Sequence, residues 1–484
     1  MLAFPEQNPV MPHEVVFGDG LLDSTKTIET AQLESTEGYM GSVHLEVGEE
    51  NLGSNNWAIA RGKSSSGNAI LCGDPHLYLT LPSIWYELQI NTPEMNTYGV
   101  ALPGMPGVII GFNDHLSWSM TNTEHDVADF YTIQWQDSKK QAYLIDSQFV
   151  KVEKRIEKLS IKSGWFHTNK VDTVRYTSWG PVIHQSEENE RDLALRWLVH
   201  DAPKGSELNV FHKINKAKNY DDFINAIVDY ASPSQNFAYA DRDGNIGMFI
   251  QGIFPKKRMG QGRFIQDGTS SRNAWQGMIP QEYNPRIKNP VWGYVASANQ
   301  NSTTGNFPHY YNSEFFEPYR GRFIQRNLTQ NIDFSVDDMK ALQNNNYSLK
   351  VEDLFEMMMT PLDFDRMNDA EKAMFQLLTK WDYSYDRQKL EPVFFEEWFR
   401  IFYEKTWDEF SEQTQYEGIM YPTHWRTVYI MRDLPESNFF DIKSTPERES
   451  VEDIITTAFQ EMVQSVVARL VIEPDLNWSN FRNT

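Results

Sequence analysis

Cysteine is almost missing from this chain: Cys72 is the single one in 484 residues. No intrachain disulfide can form, and a cysteine-built zinc site is excluded. Cys72 closes the apolar run Ala69-Ile70-Leu71-Cys72 and reads as a buried structural thiol. Long apolar stretches are lacking too. No window approaches roughly 18 consecutive apolar residues, so no membrane-spanning helix is predicted. Positive charge is scarce: 44 Lys+Arg against 67 Asp+Glu leave a net charge of -23. Nucleic-acid backbones and anionic membrane surfaces are bound by clustered Lys and Arg, so neither is an expected partner. The N-terminus has no basic stretch followed by an apolar one, and no signal peptide is read there.

What the chain does have is bulky apolar matter. Hydrophobic residues are 40% and aromatics 13%, enough for a large core and incompatible with global disorder. Residues 1–53 differ from the rest, being rich in Glu, Gly, Ser and Thr; they read as a linker or processed spacer. From residue 54 the pattern becomes strand-like, with candidates at 57–60, 69–72, 77–81, 84–90, 97–102 and 107–112. The run Gly107-Val108-Ile109-Ile110-Gly111 predicts a strand buried on both faces. Residues 237–250 read as a hairpin turning at Asp241-Arg242-Asp243-Gly244. Helices are predicted at 219–230, 392–410 and 450–470, the last with Val451, Ile454, Ile455, Ala458, Phe459, Met462, Val463, Val466 and Val467 on one stripe. The fold class is α+β, a sheet core covered by helices, over one domain at 54–484.

The chemically informative place is Gly53-Ser54-Asn55-Asn56-Trp57, where spacer meets first strand. A serine freed there by cleavage of Gly53–Ser54 would carry an α-amino group with a pKa of about 7.7–8.0. Such an amine is partly neutral near pH 7 and can serve as base for its own hydroxyl. The same pentapeptide also fits a plain Gly-Ser turn before a strand.

Further along, the chain repeats an ordered series of landmarks. Gly73-Asp74-Pro75-His76-Leu77 is followed by Leu102-Pro103-Gly104-Met105-Pro106-Gly107, Gly111-Phe112-Asn113 and Ser117-Trp118-Ser119-Met120-Thr121-Asn122. Asp126-Val127-Ala128-Asp129, Gly293-Tyr294-Val295-Ala296-Ser297-Ala298-Asn299 and Pro318-Tyr319-Arg320 complete it. With Ser54-Asn55-Asn56-Trp57, this series over roughly residues 54–330 resembles the penicillin acylase family of N-terminal nucleophile hydrolases. The resemblance implies a four-layer αββα core with helical insertions. It implies Ser54 as nucleophile after autocatalytic cleavage, and Asn299 as oxyanion donor through its side-chain amide. It implies Asn122 as second donor through its backbone N–H, and Arg320 as organiser of the hydrogen-bond network. His76 matches a position beside the nucleophile, held by His in branches acting on cephalosporins and acyl-homoserine lactones.

A calcium site at Asp126, Ala128 and Asp129 is likewise implied by the resemblance, and hard oxygen ligands at short spacing suit that ion. The pattern is incomplete here: the family's further acidic ligand aligns near His309, and the ligand given by the family's α chain has no counterpart. No organic cofactor is implied. The resemblance covers the spacer and most of a β chain, so the expected partners are a small acyl-amide substrate and a missing α-chain segment, with truncation after Thr484. A periplasmic or secreted location is implied by the family alone. The alternative is an inactive β-chain fragment that needs that partner or only binds, and a glycan-binding β protein is a further rival suggested by the abundant Trp and Tyr.

Overall fold

The computed structural model describes Val10 and residues 53–78, 80–185, 191–201, 206–303, 307–310, 317–411 and 422–482. The spacer expected at 1–53 lies outside these residues apart from Val10 and Gly53. Two compact units are present, and Lys340 begins the main segment of the second.

The first unit is built on two stacked antiparallel sheets. The smaller has β1 (Gly53–Ile59) between β2 (Ile70–His76) and the strand Tyr294–Ser297. The larger has seven strands. Arg286–Lys288, Ile246–Gln251 and Gln235–Asp241 lie on one side, followed by β6 (Leu116–Asn122), β5 (Ile110–Asn113), β4 (Met95–Ala101) and β3 (Tyr86–Thr92). Alternation decides which side chains go where. Trp118, Phe237, Tyr239 and Phe249 face one way and pack on helices α1 (Ser206–Lys216) and α2 (Tyr220–Ile227) through Val210, Phe211, Ile214, Phe223 and Ile227. Ala238, Ala240, Ile246, Met248 and Ile250 face the other way, against Ala58 and Val295 of the smaller sheet. Beyond the smaller sheet, helix α3 (Tyr319–Gln330) covers its outer face. The order is helix, sheet, sheet, helix, as the resemblance implies.

Small residues let the two sheets approach. A Cβ on Gly73 would lie 2.3 Å from the Ser119 Oγ of β6. Cys72 is buried beside it, and burial pushes its thiol up to about 12. Lys63 closes the far end of α3, donating to the Leu328 and Asn331 carbonyls at 2.5 and 2.9 Å; a cation there satisfies orphan carbonyls and complements the helix dipole.

Two strand expectations need correction. Residues 77–81 carry no strand among those described, and Leu77, Tyr78 and Leu81 are exposed; no sheet face among the described residues covers them. Residues 107–112 become a strand only at Ile110. Val108 and Ile109 are buried, but the Val108 N–H and C=O are both taken by the Asn215 side-chain amide of α1, at 2.9 and 2.8 Å. A side chain replaces the ladder partner there. The hairpin at 237–250 forms as expected, with Gly244 N–H on the Asp241 carbonyl at 3.0 Å.

After β6 the chain crosses into a separate six-stranded sheet through the strand Ala128–Ile133. The connecting loop carries Asp126, and Asp129 lies within the new strand. The second unit is helical. Helix Glu391–Thr406 buries Phe394, Phe395, Trp398, Phe399 and Phe402, and helix Val451–Ile472 buries Ile454, Ile455, Ala458, Phe459, Met462, Val463 and Val466. Trp398 joins the two through its indole N–H on the Ile455 carbonyl at 3.0 Å. Ser450 and Asp453 form a reciprocal capping box at the start of the latter.

Gly73→Ala is expected to destabilise the chain by about 2 kcal/mol, because the new methyl overpacks the sheet interface. Urea unfolding followed by tryptophan fluorescence measures it.

Candidate active site

Ser54 is the second residue of β1, and the register of that strand sets its neighbours. Gly53 lies opposite His76 and Ser54 opposite Pro75, so the Asp74-Pro75-His76 stretch of β2 flanks the Gly53–Ser54 bond. On the other side β1 pairs with Tyr294–Ser297, which delivers the turn bearing Asn299. Asn299 is fully buried with φ of 63°, a left-handed conformation that asparagine tolerates better than most residues.

The Asn299 carboxamide joins three segments. Its Oδ1 accepts from the Ser54 N–H at 2.6 Å and from the Arg320 guanidinium at 3.2 Å. Its Nδ2 donates to the Asn122 carbonyl at 2.9 Å. The donors on one side and the acceptor on the other fix which way the amide points. Ser54 Oγ donates to the Gly53 carbonyl oxygen at 2.5 Å. The hydroxyl and the carbonyl of the preceding peptide are thus held side by side.

Arg320, near the start of α3, is the fork that locks the arrangement. Its Nη1 donates to the Ser54 carbonyl at 2.9 Å and to Asn55 Oδ1 at 2.7 Å. Burial pushes the guanidinium down to about 10, with Asp74 and Glu317 opposing the shift. It still carries its charge at neutral pH. It also explains Gly53: a Cβ there would sit 2.6 Å from Arg320 Nη2 and 3.3 Å from Asn299 Oδ1. Glycine precedes Ser54 because the guanidinium fills the space where a side chain would go.

Asn122 ends β6. Its carbonyl accepts from Asn299 and also from Asn236 Nδ2 at 3.2 Å, while its side-chain Oδ1 accepts from Gln235 Nε2 at 2.6 Å. The group tied to Asn299 is therefore the Asn122 carbonyl. His76 stands across the strand pair from Gly53, and its Nε2 is paired with Asp74 Oδ2 at 2.8 Å. Ser54, Asn299, Arg320 and Asn122 thus form one bonded cluster, with His76 beside it through Asp74.

Asp126, Ala128 and Asp129 also converge, but on the Lys257 ammonium. Lys257 Nζ lies 2.8 Å from Asp126 Oδ2, 3.3 Å from Asp129 Oδ1 and 3.3 Å from the Ala128 carbonyl. The Trp275 indole N–H donates to the other Asp129 oxygen. Burial raises the Asp129 carboxyl from its ordinary value, against the opposing pull of Lys257 and Trp275.

Sequence reasoning missed Asn55, Gln235, Asn236, Lys257 and Trp275. Asn236 is fully buried and brings Thr121 Oγ1, the Asn122 carbonyl and Ser297 Oγ within 3.2 Å of its Nδ2. Its neighbour Asn56 donates to its backbone carbonyl at 3.0 Å. A polar pair before an apolar strand is the signal it left. Lys257 sits in Lys256-Lys257-Arg258, which reads as a solvated basic turn.

The two-sheet core sandwiched between helices is matched by a solved structure, a thermostable penicillin G acylase from Alcaligenes faecalis. The TM-score is 0.70 at 20% identity, over 87% of this chain and 79% of that one. The fold is thus that of an N-terminal nucleophile hydrolase. The chain belongs to the penicillin amidase family, whose profile matches residues 6–484. It is 27% identical over 321 residues to an acyl-homoserine lactone acylase, QuiP, of Pseudomonas aeruginosa, covering 64% of this chain and 37% of that protein. It is also 27% identical over 331 residues to the penicillin acylase 2 proenzyme of Pseudomonas sp. strain SE83, covering 68% and 42%. Penicillin G acylase of Escherichia coli is 24% identical over 341 residues, covering 68% and 39%. The chain spans about two fifths of the length of these curated relatives.

Asn236→Leu is expected to cost about 2 kcal/mol, since it removes the buried amide donor that Thr121, Ser297 and the Asn122 carbonyl share. Thermal unfolding of the variant beside the parent reports the loss.

Proposed function

We propose that this chain is an amide-cleaving acylase that first cuts its own Gly53–Ser54 bond. The observation that carries this is the Ser54 hydroxyl held 2.5 Å from the Gly53 carbonyl oxygen, with the Ser54 N–H fixed on Asn299. In the first stage Ser54 Oγ attacks the Gly53 carbonyl carbon and loses its proton. The C–N bond breaks as the nitrogen takes a proton, giving an ester and a free α-amine. Water then hydrolyses the ester, leaving a Gly53 carboxylate and Ser54 as a new N-terminus.

In the second stage the α-amine accepts the Ser54 Oγ proton while Oγ attacks a substrate amide. An amide NH2 has two N–H donors. One on Asn299 is committed to the Asn122 carbonyl, and the other is assigned to the oxyanion together with the Asn122 backbone N–H. Removing one such donor typically costs a factor of about 100 or more. The substrate amine leaves with the proton, and water cleaves the acyl ester. Arg320 orients Asn299 and the Ser54 carbonyl. His76 with Asp74 borders the new amine. The substrate class is linear acyl amides, either β-lactam side chains or N-acyl homoserine lactones, both named among the relatives. A periplasmic or secreted setting belongs to the same reading.

The chain spans about two fifths of its curated relatives' length, and a second reading is that this segment acts only with a partner segment. One experiment separates the two. The chain is expressed, its intact mass measured, and a panel of acyl amides scored by released amine. Cleavage before Ser54 and amine release, both abolished in Ser54→Ala, are expected. A folded, uncut chain without amine release favours the dependent fragment, and hydrolysis surviving in Ser54→Ala removes Ser54 as nucleophile. Asn299→Ala is expected to lower turnover at least about 100-fold, measured with the best amide of the panel.

A further inference from the structure

We propose that Lys257 is a built-in substitute for a metal ion, and that the Asp126–Asp129 site of this chain is closed by an ammonium rather than by calcium. A lysine ammonium carries three N–H donors and no acceptor. Three oxygens face it: one from Asp126, one from Asp129 and the Ala128 carbonyl, at 2.8 to 3.3 Å. These are the same three residues that the family resemblance marks as calcium ligands. The Ala128 carbonyl and Asp129 Oδ1 accept hydrogen bonds from it, and Asp126 Oδ2 pairs with its charge.

The Lys257 side chain is 2% exposed and the Asp129 side chain 0%. A buried ammonium is costly unless paired, and so is a buried carboxylate. Each supplies what the other needs. The second Asp129 oxygen is taken by the Trp275 indole, whose ring also lies 5.6 Å from Lys257 Nζ and 4.9 Å from the Arg196 guanidinium. Asp126 turns its other oxygen to the Ala128 N–H at 3.0 Å. Calcium requires six to eight oxygens at about 2.3–2.6 Å. The donor set does not fit that ion while the ammonium holds its centre.

Lys257 therefore does mechanically what a divalent ion would do. It ties the loop after β6 to the segment following Phe254–Pro255, two stretches remote in sequence. Asn122 lies four positions before Asp126 on that same loop-bearing strand, so the tie steadies the end of β6. The assignment is independent of the Ser54 chemistry.

The test is thermal unfolding of the full chain with excess EDTA or excess calcium, beside calorimetric titration with calcium. The parent is expected to melt at one temperature in both conditions. Lys257→Ala is expected to melt lower by on the order of 10 °C, because it leaves the buried Asp129 carboxylate without its cation, and to regain part of that loss with calcium. A parent melting point that falls in EDTA and returns with calcium would overturn the proposal. So would parental calcium binding that Asp129→Asn abolishes, or a Lys257→Ala chain that melts like the parent. If Lys257→Ala does not fold, the parental measurements decide alone.

Discussion

The Asn299 carboxamide holds together the end of β6, the start of β1 and the start of α3. Its oxygen accepts from Ser54 and Arg320, and its nitrogen donates to Asn122. Each of these groups is polar and wholly or partly buried, so each would be expensive without its partner. Around this amide the other constraints follow. Arg320 is positioned to clasp the Ser54 carbonyl and Asn55, and its guanidinium forbids any side chain at Gly53. Asn299 itself sits in a left-handed turn that only a few residues accept without cost. A small number of mutually dependent hydrogen bonds therefore defines the setting of the Gly53–Ser54 bond.

The two sheets provide the rigid frame. Their interface is lined by small residues such as Gly73, Ala58, Ala238 and Ala240, and by a buried polar strip of Asn56, Thr121, Asn236 and Ser297. Thr121 Oγ1 and Ser297 Oγ meet at 2.8 Å across it. Backbones close enough for such bonds leave no room for slack, and hydroxyls and amides paired in a low-dielectric interior hold a fixed geometry. The polar strip runs into the cluster at Ser54, which places the hydroxyl on a stiff strand rather than on a loop.

The loop after β6 extends that order outward. Lys257 and Trp275 together satisfy Asp129, and Lys257 reaches Asp126 and the Ala128 carbonyl as well. The chain crosses there from one sheet to another, and an internal cation is set at the crossing. The carboxylates were visible in the sequence as a short acidic motif. Their partner was not, because it is contributed from about 130 positions away (128 from Asp129 to Lys257).

Local pattern by itself determined a good deal. The strands of β1 and β4, the Asp241–Gly244 hairpin, and the helices at 219–230 and 450–470 were legible because alternation, turn chemistry and capping act over a few residues. Ser54, Asn299 and Arg320 were legible because they sit in ordered motifs, although their contacts were not. Tertiary structure decided where local rules compete with distant partners. Val108 looks like strand but yields its backbone bonds to Asn215. Leu77 and Leu81 look like core but meet no covering face among the described residues. Gly53 looks like a flexible joint but is a vacancy that Arg320 fills. Lys257 looks like surface charge but is buried among carboxylates. For Val108, Gly53 and Lys257 the deciding partner is far along the chain, and only folding brings its hydrogen bonds, its volume or its charge within reach.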